Sequence, residues 1–511
     1  MKTNSRFQAG ALPAVSFLLG FFSALPAMAK TDSSEVVFAD SPVRSYSLTF
    51  YQADWKPLME ADWVADSGYL PARFSDGVVT LDSVGVRYKG NSSYTLAGNN
   101  PKKPLKIKFN EFKDTSYHGI KVLNFSNGIG DPTLMREHLS YAIARRFLPA
   151  PRSNFVHITL QGQAIGLYIQ VEQADKTFLK RWFPDSSKGN LFKAGDDGAT
   201  LAWIDGNASS YVASGDYELK TNEDAANWKG FVGFVDFLNR SSGEDFCSGR
   251  GSYLDDANVA RFLAFNTVLS NFDSYNGSGR NWYMYQPDTN LPGMKMIPWD
   301  LNLSFGAYGG AAGALGLAID TVQAPLADRP LFARVLACPA TREAYFRAIQ
   351  AMVSSYASTD SVEAAMLRDS ALIAPFVAAD TNKFYTLTAW KTNLRANFRG
   401  TEGLIPGLVS FSRSRNASIA TALETYIDVA VRRMERSWSL RRSSGDWILQ
   451  DLGSIGGGVV EWTSIDGRRS GRLEFLSGTS DLSIPLPAGL VAVSVRSNRG
   501  SHTVLIHNTR K

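Results

Sequence analysis

The sequence reads NFDSYNGSGRNWYMY at residues 271–285 and IPWDLNLSFG at residues 297–306. Tyrosines alternate with other large apolar side chains over residues 282–285, a period of two that predicts a strand. Residues 294–297 fit a hairpin partner for that strand. Asp300 is then expected just where the second strand ends.

Three polar side chains in this region, Asp273, Asn281 and Asp300, fall at or near predicted strand ends. A carboxylate and an amide at such points can hold Mg²⁺ or Mn²⁺ against the phosphates of ATP. A second carboxylate can take a proton from an acceptor hydroxyl. The plainer alternative is that Asp273 and Asp300 only cap or close turns.

The N-terminal part of the chain is rich in strand patterns and contains one clear helix. Alternating or β-branched runs, bounded by turn residues, predict strands at residues 45–51, 78–88, 104–110, 155–160 and 164–171. A short helix is indicated from Asp54 to Ala61. The clear helix begins at Asp131-Pro132 and carries apolar residues at every fourth position, with Arg136 and Glu137 expected on another, exposed side.

Lysines alternate with apolar residues over residues 103–109, so Lys106 and Lys108 project from one face of the predicted strand. The turn that precedes this strand contains Gly90, Asn91, Ser92 and Ser93. Its N–H groups and hydroxyls could hold a phosphate, with the two lysines behind it and Glu137 orienting an ammonium group. The plainer alternatives are that the turn is only a turn, that the lysine face is solvated, and that Glu137 is an exposed helix residue.

Helical periodicity dominates the middle of the chain, at residues 223–265, 322–398 and 419–438, and short alternating runs return after residue 446. Strands therefore lead and helices follow, which predicts an α+β fold with a small all-β C-terminal appendage.

An apolar stretch at the N-terminus follows two basic residues and ends in Ala27-Met28-Ala29, which predicts a cleaved signal peptide over residues 1–29. The formal charge is +5, and it falls to +3 without Lys2 and Arg6, which gives no reason to expect a nucleic acid or an anionic membrane as partner. No later segment is apolar enough to span a bilayer. Cys247 and Cys338 are the only cysteines, and the sequence leaves open whether they form a disulfide or two buried thiols. A zinc site is not expected, so a divalent metal would need carboxylates.

Several of these segments, taken in series, resemble the CotH family of secreted kinase-like proteins. The matching pieces are VRYKGNSS (86–93), KPLKIKF (103–109), DPTLMR (131–136), PR (151–152), GLY (166–168), VEQ (171–173), IPWDL (297–301) and FG (305–306). The resemblance implies an atypical two-lobed protein-kinase-like fold with the nucleotide between the lobes. The N-terminal lobe, with strands plus one helix, is expected over residues 30–205, the mainly helical lobe over 206–445, and the β-rich appendage over 446–511.

The resemblance also implies roles for individual residues. The turn from Gly90 to Ser93 is similar to an abbreviated phosphate loop, Lys106 to the strand lysine with Lys108 as its substitute, and Asp273 to the catalytic aspartate. Asn281 and Asp300 correspond to the metal-side amide and the metal-binding aspartate. Two further residues in family-like motifs have open roles: Arg136 could bind phosphate or brace the lobe, and Glu172 could lie at the hinge or pair with a lysine.

The function expected from this resemblance is transfer of the γ-phosphate of ATP, with Mg²⁺ or Mn²⁺, to Ser or Thr of an extracytoplasmic protein. The chain is then expected to be exported, to the periplasm, the cell surface or the medium. Two alternatives stay open: other ATP chemistry on the same fold, namely AMP transfer or carboxylate ligation, and a non-catalytic surface or adhesion protein.

Overall fold

The fold is described from a computed structural model of the full chain. It describes residues 33–195, 198–225, 227–288, 293–308, 316–400, 403–434, 439–443, 446–450, 458–464, 469–476, 479, 481–486, 489–497 and 500–508. The expected signal peptide lies outside these residues, as do most of a Gly/Ala-rich segment at 306–316 and Trp438, the last residue of the helical pattern over 419–438.

A closed barrel of seven strands forms the N-terminal part of the protein, with the strand order β1-β2-β3-β4-β5-β7-β6. The neighbouring strands are antiparallel, except that β6 runs parallel to β1 and thereby closes the barrel. The strands are β1 (Arg44–Phe50), β2 (Leu70–Ser75), β3 (Thr80–Tyr88), β4 (Leu105–Lys108), β5 (Val122–Ser126), β6 (Ser153–Leu160) and β7 (Gln163–Glu172).

The barrel is filled by its own apolar side chains because alternate residues along each strand point inward. In β4, Leu105 and Ile107 are fully buried, whereas Lys106 and Lys108 lie on the outer surface. The predicted alternation in this strand is thus confirmed. The strand patterns at 45–51, 78–88, 155–160 and 164–171 are likewise confirmed, whereas β2 and β5 were not predicted.

Three helices accompany the barrel: α1 (Trp55–Val64), α2 (Ser92–Thr95) and α3 (Arg136–Ala144). The expected short helix near Asp54 is confirmed as α1. The clear helix begins later than expected, because the Asp131 carboxylate accepts hydrogen bonds from the backbone N–H groups of Thr133 (2.9 Å) and Arg136 (2.8 Å) and fixes a loop there.

The prediction that Arg136 and Glu137 lie on an exposed side of α3 is wrong. Arg136 and Glu137 are only 0% and 3% exposed, because later segments of the chain cover the polar side of this helix.

A four-stranded antiparallel sheet of order β11-β10-β8-β9 and a set of helices make up the central part of the chain. The largest hydrophobic cluster of the described residues joins α3 and β7 to the helices of this central part. Cys247 and Cys338 form a disulfide with Cα atoms 5.5 Å apart. The elements are α4 (Lys176–Trp182), β8 (Asn190–Ala194), α5 (Ala208–Ala213), β9 (Tyr217–Leu219), α6 (Lys229–Arg240), α7 (Gly243–Gly249), α8 (Asp256–Val268), β10 (Trp282–Gln286), β11 (Lys295–Pro298), α9 (Pro330–Ala337), α10 (Pro339–Val353), α11 (Thr359–Ala379), α12 (Leu387–Arg395), β12 (Phe398–Gly400), β13 (Gly403–Ile405) and α13 (Leu408–Met434).

Two small sheets follow, with the orders β14-β15-β18 and β17-β16-β19-β20, and they share one hydrophobic core. The protein is therefore a mixed α+β chain with small C-terminal sheets. Among the helices in the described residues, none combines the length and apolar character needed to cross a membrane. The strands are β14 (Ser439–Ser443), β15 (Asp446–Gln450), β16 (Gly458–Ser464), β17 (Ser470–Phe475), β18 (Leu482–Ile484), β19 (Gly489–Ser497) and β20 (Gly500–Asn508).

Candidate functional site

Lys106 and Lys108 share the outer face of β4 but have different surroundings. Lys106 lies between Arg87 on β3 and Asn124 on β5 in the strand register. Lys108 is more exposed, and its ammonium group pairs with the Glu111 carboxylate at 2.6 Å. The two candidate lysines therefore differ. Lys108 has an acidic partner, whereas Lys106 forms no ion pair with the described acidic residues.

Lys106 is surrounded by other positive charges. Burial, followed by the charges of Arg87, Lys89, Lys220 and Lys193, lowers the pKa of Lys106 from 10.5 to about 7. A positively charged surface of this kind, made by several strands, is suited to an anion that carries several charges, such as a polyphosphate.

Two of these cations come from the central sheet rather than from the barrel. Lys193 and Lys220 both form ion pairs with Glu218, at 2.8 and 2.9 Å. Burial alone would raise the pKa of Glu218, but these two lysines hold it at about 2. The positive surface therefore spans both the barrel and the central sheet.

The turn from Gly90 to Ser93 begins directly after Lys89. Gly90 has a φ of +74°, and a Cβ atom there would lie 2.4 Å from the Ser93 hydroxyl oxygen, so the turn requires glycine. Lys89, directly before the turn, lies over the ring of Trp299 at 5.9 Å, and Trp299 directly precedes Asp300.

Asp273, Asn281 and Asp300 are brought together by the loop after α8 and by the β10–β11 hairpin. The Asn281 amide donates hydrogen bonds to the backbone oxygen of Asp273 at 2.9 Å and to its carboxylate at 3.0 Å. The backbone N–H of Trp299 donates to the backbone oxygen of Asn281 at 3.2 Å. This bond holds the next residue, Asp300, beside Asn281 at the end of the hairpin. The predicted hairpin is thus confirmed, and so is the position of Asp300 just after its second strand.

The acidic groups at this point influence one another. Burial, then the Asp300 charge, raises the pKa of Asp273. Burial and Asp300, in the same order, also raise the pKa of Glu137 on α3. The Asp300 backbone N–H donates to the Tyr141 hydroxyl at 3.0 Å, so α3 contacts this loop directly. Asp300 therefore lies close enough to both Asp273 and Glu137 for its charge to act on each of them.

Two buried oxygen atoms of these carboxyl groups, Asp273 Oδ1 and Glu137 Oε2, have no hydrogen-bond partner among the described residues. Buried carboxylate oxygens are normally satisfied, so unpartnered ones point to a ligand. Carboxylate and amide oxygens suit a hard cation such as Mg²⁺ or Mn²⁺, which would also relieve the repulsion between the acidic groups. Within the described part of the chain, no group of three or more His, Cys, Asp or Glu side chains could hold a metal ion by itself, so further oxygen ligands, such as phosphate, would be needed.

Arg136 and Glu172, whose roles were open, both make structural contacts. The Arg136 guanidinium binds Asp131, the Asn393 side chain at 2.9 Å and the Pro406 backbone oxygen, so its contacts favour the bracing role. Glu172 pairs with two arginines, Arg152 at 2.7 Å and Arg181 at 2.5 Å, rather than with a lysine.

Sequence reasoning missed several cations of this site. Lys89 and Arg87 could have been found, because they alternate with the buried residues Val86 and Tyr88 and so share an outer face of β3. Lys193 and Lys220 carried no local signal, since only the pairing of β8 with β9 and β10 brings them near the barrel.

Comparison with known proteins gives two matches. A family model described as CotH kinase protein matches residues 86–431. The inner spore coat protein H of Bacillus subtilis (strain 168) is 25% identical over 346 residues, which cover 66% of this chain and 89% of that protein. The matched segment includes the lysines of the barrel, the acidic residues after α8 and the β10–β11 hairpin.

Proposed function

Because this chain belongs to the CotH kinase protein family, we propose that it is an exported phosphotransferase that uses ATP with Mg²⁺ or Mn²⁺. We propose further that the barrel and the central part correspond to the two lobes of an atypical protein-kinase-like fold. The acceptor in this proposal is a Ser or Thr hydroxyl of an extracytoplasmic protein.

One observation carries the proposal: a lysine surface and a group of carboxylates, which come from different parts of the fold, meet around Lys89, Trp299 and Asp300. Phosphoryl transfer needs cations to bind the phosphates and oxygen ligands to bind the metal, within reach of each other. A protein that served only as a surface binder would have no use for unpartnered buried carboxylate oxygens.

In the proposed reaction, Lys106 and Lys89 bind the phosphates, and the turn from Gly90 to Ser93 contributes N–H and hydroxyl donors. Asp300 and Asn281 supply oxygen ligands for the metal, which on binding would neutralise phosphate charge. Glu137 lies close enough to Lys89 for the lysine charge to act on it. That charge lowers the pKa of Glu137, whereas burial and the Asp300 charge raise it by more. In this scheme Glu137 interacts with the Lys89 ammonium group rather than with that of Lys106.

Asp273 accepts the proton of the acceptor hydroxyl in this scheme. The hydroxyl oxygen forms a bond to the γ-phosphorus, the bond from that phosphorus to the β–γ bridging oxygen breaks, and ADP leaves. The raised pKa of Asp273 makes it a stronger base than an ordinary surface carboxylate, which suits a proton acceptor.

Export is part of the proposal. The Cys247–Cys338 disulfide is of the kind that persists in oxidising compartments. The relative in Bacillus subtilis is named as a spore coat protein, which suits a surface location.

The test uses purified protein, a divalent metal and ATP labelled in turn at the γ- and the α-phosphate. Transfer of the γ label by the wild type, and not by Asp300→Ala, is the expected result. Transfer of only the α label would replace the proposal by AMP transfer. No transfer of either label, together with no binding of ATP, would leave a role as a surface binder.

A further inference from the structure

A cavity of about 630 Å³ lies at one end of the barrel, next to the turn from Gly90 to Ser93. It is bounded by α1, by α2 and the segment after it, and by the turn between β6 and β7. Its volume falls within the range typical of pockets that bind small molecules, roughly 300–1,000 Å³. None of the residues to which we assign a role in phosphoryl transfer lines it.

Two tryptophans of α1, Trp55 and Trp63, line this cavity and are only partly buried. Trp55 stacks on Phe50 with 4.7 Å between ring centroids and an angle of 3°, and Trp63 stacks on Tyr94 at 3.8 Å and 22°. Trp63 is also fixed by a hydrogen bond from its indole N–H to the Gly90 backbone oxygen at 2.9 Å. The rings are therefore held in place while part of their surface faces the cavity.

Rigid, partly exposed indole rings suit the flat C–H face of a pyranose sugar. The face of an aromatic ring carries partial negative charge, and the C–H groups on one side of a sugar carry partial positive charge. The rim adds side-chain amides that can bind sugar hydroxyls, among them the exposed Asn99 and Gln163.

Lys103, which also lines the cavity, is a buried cation that forms no ion pair with the acidic residues the structure describes. Its ammonium group donates to two backbone oxygens, those of Tyr94 at 3.0 Å and Gly98 at 2.6 Å, and lies over the Tyr94 ring at 4.1 Å. A lysine ammonium has three donors, so these contacts leave one.

The neighbouring residue, Lys102, has an acidic partner in contact, which Lys103 lacks among the described residues. Lys102 is more deeply buried, and its ammonium group pairs with Asp380 at 2.7 Å. Lys103 forms no ion pair with any described Asp or Glu. Glu60, the acidic residue of this cavity, pairs with Lys56 at 4.0 Å and acts on Lys103 only from a longer distance, where its charge raises the pKa of Lys103 by less than burial lowers it. A buried charge without a counter-ion is costly, which favours a ligand that brings its own carboxylate.

We propose that this cavity binds a carbohydrate unit that carries a carboxylate, that is, a uronic acid. The indole rings contact the face of the sugar, the amides at the rim bind its hydroxyls, and the Lys103 ammonium binds its carboxylate. An exported protein meets polysaccharides at cell surfaces, so such a site would attach the protein to an acidic glycan. The binding does not depend on the proposed phosphoryl transfer, because the residues involved are different.

The test is titration of the full-length protein with D-glucuronate, D-glucose and acetate, followed by tryptophan fluorescence and by calorimetry. D-glucuronate is expected to bind saturably, with a Kd at least ten-fold below those of both D-glucose and acetate. Trp55→Ala and Lys103→Met are each expected to weaken the binding of D-glucuronate at least ten-fold. Trp203→Ala, which removes a partly buried tryptophan of another cavity, is the control and should leave the Kd unchanged.

The proposal fails if D-glucuronate does not bind saturably, or if D-glucose or acetate binds as tightly. It also fails if D-glucuronate binding survives both substitutions. Circular dichroism checks that Lys103→Met folds, and the comparison of the three ligands needs no variant. Repeating the titration with Asp300→Ala, which disables the proposed phosphotransferase, should give the same Kd, so failure of one proposal is distinguishable from failure of the other.

Discussion

Replacing Lys106 with Met is expected to weaken nucleotide binding and, at the same time, to stabilise the free protein. Both effects have one cause, since the Lys106 charge lies among other cations and needs an anion to offset it. A residue retained only for stability would show the opposite behaviour.

The stability effect depends on pH in a definite direction. The pKa of Lys106 falls from 10.5 to about 7 on folding, so the folded protein carries the full cost of the charge below pH 7 and loses that cost as the pH rises towards 10.5. The full difference corresponds to ~5 kcal/mol. Part of the Lys106 side chain remains exposed, so solvent screening reduces this, and we expect a gain of ~1–2 kcal/mol at pH 6 and less than half of that at pH 9.

The loss of binding follows from a charge-assisted hydrogen bond between ammonium and phosphate. Such a bond contributes about 1.5–3 kcal/mol, which corresponds to roughly 10–100-fold in Kd for ATP. Lys108→Met is the matched control, because Lys108 lies on the same face of the same strand but pairs with Glu111. It should change ATP binding less than two-fold.

The assay combines calorimetric titration with ATP and metal and thermal unfolding at pH 6 and pH 9. The reasoning is refuted if Lys106→Met binds ATP as well as Lys108→Met does. It is also refuted if Lys106→Met lowers the unfolding temperature equally at both pH values.

Four further predictions concern other residues. Asp300→Ala should abolish the metal-dependent part of ATP binding, whereas Asp273→Asn should keep binding and lower the transfer rate by about 10²–10⁴-fold, as measured by titration and by label transfer. Cys247→Ser opens a disulfide whose cysteines are 91 residues apart, and chain entropy predicts a loss of roughly 4–5 kcal/mol of stability, measured by denaturant unfolding. Asp380→Ala leaves the Lys102 ammonium buried without its partner and should cost about 3–5 kcal/mol in the same assay.

Each of these predictions has an outcome that contradicts it. Equal metal-dependent ATP affinity in the wild type and Asp300→Ala would remove Asp300 from the metal site. If reducing the disulfide of the wild type leaves its free energy of unfolding unchanged, the prediction for the disulfide is contradicted. Asp236→Ala, which breaks an exposed pair with Arg240, is the control for the buried pair and should cost less than about 1 kcal/mol; an equal loss in Asp380→Ala and Asp236→Ala would contradict the prediction.

Local patterns predicted those features of the fold that depend on neighbouring residues. The alternation in β4 predicted which lysines lie on the outer face, and the hairpin pattern predicted that Asp300 follows β11. In both places side-chain direction depends on a strand period of two, which the sequence shows directly.

Features that depend on distant parts of the chain were not predictable in this way. The periodicity of α3 showed its apolar face, but not that Asn393 and the segment at Pro406 would cover Arg136. Closure of the barrel likewise needs β6 to pair with β1 in parallel, and no local signal marks such a pairing.

Consecutive lysines illustrate the same limit. Lys102 and Lys103 look equivalent in the sequence, yet the partner of the first is Asp380, 278 residues away, and the second has no such partner among the described residues. Long-range contacts of this kind decide which charges are satisfied, and so which are available to a ligand.

The most direct test of the central claim is a crystal structure of the protein with Mn²⁺ and a non-hydrolysable ATP analogue. We predict an anomalous peak for Mn²⁺ at about 2.1 Å from an Asp300 carboxylate oxygen, with phosphate oxygens bonded to the Lys106 and Lys89 ammonium groups. Nucleotide bound elsewhere, or a metal peak without contact to Asp300, would contradict the account of this site as a phosphotransferase centre.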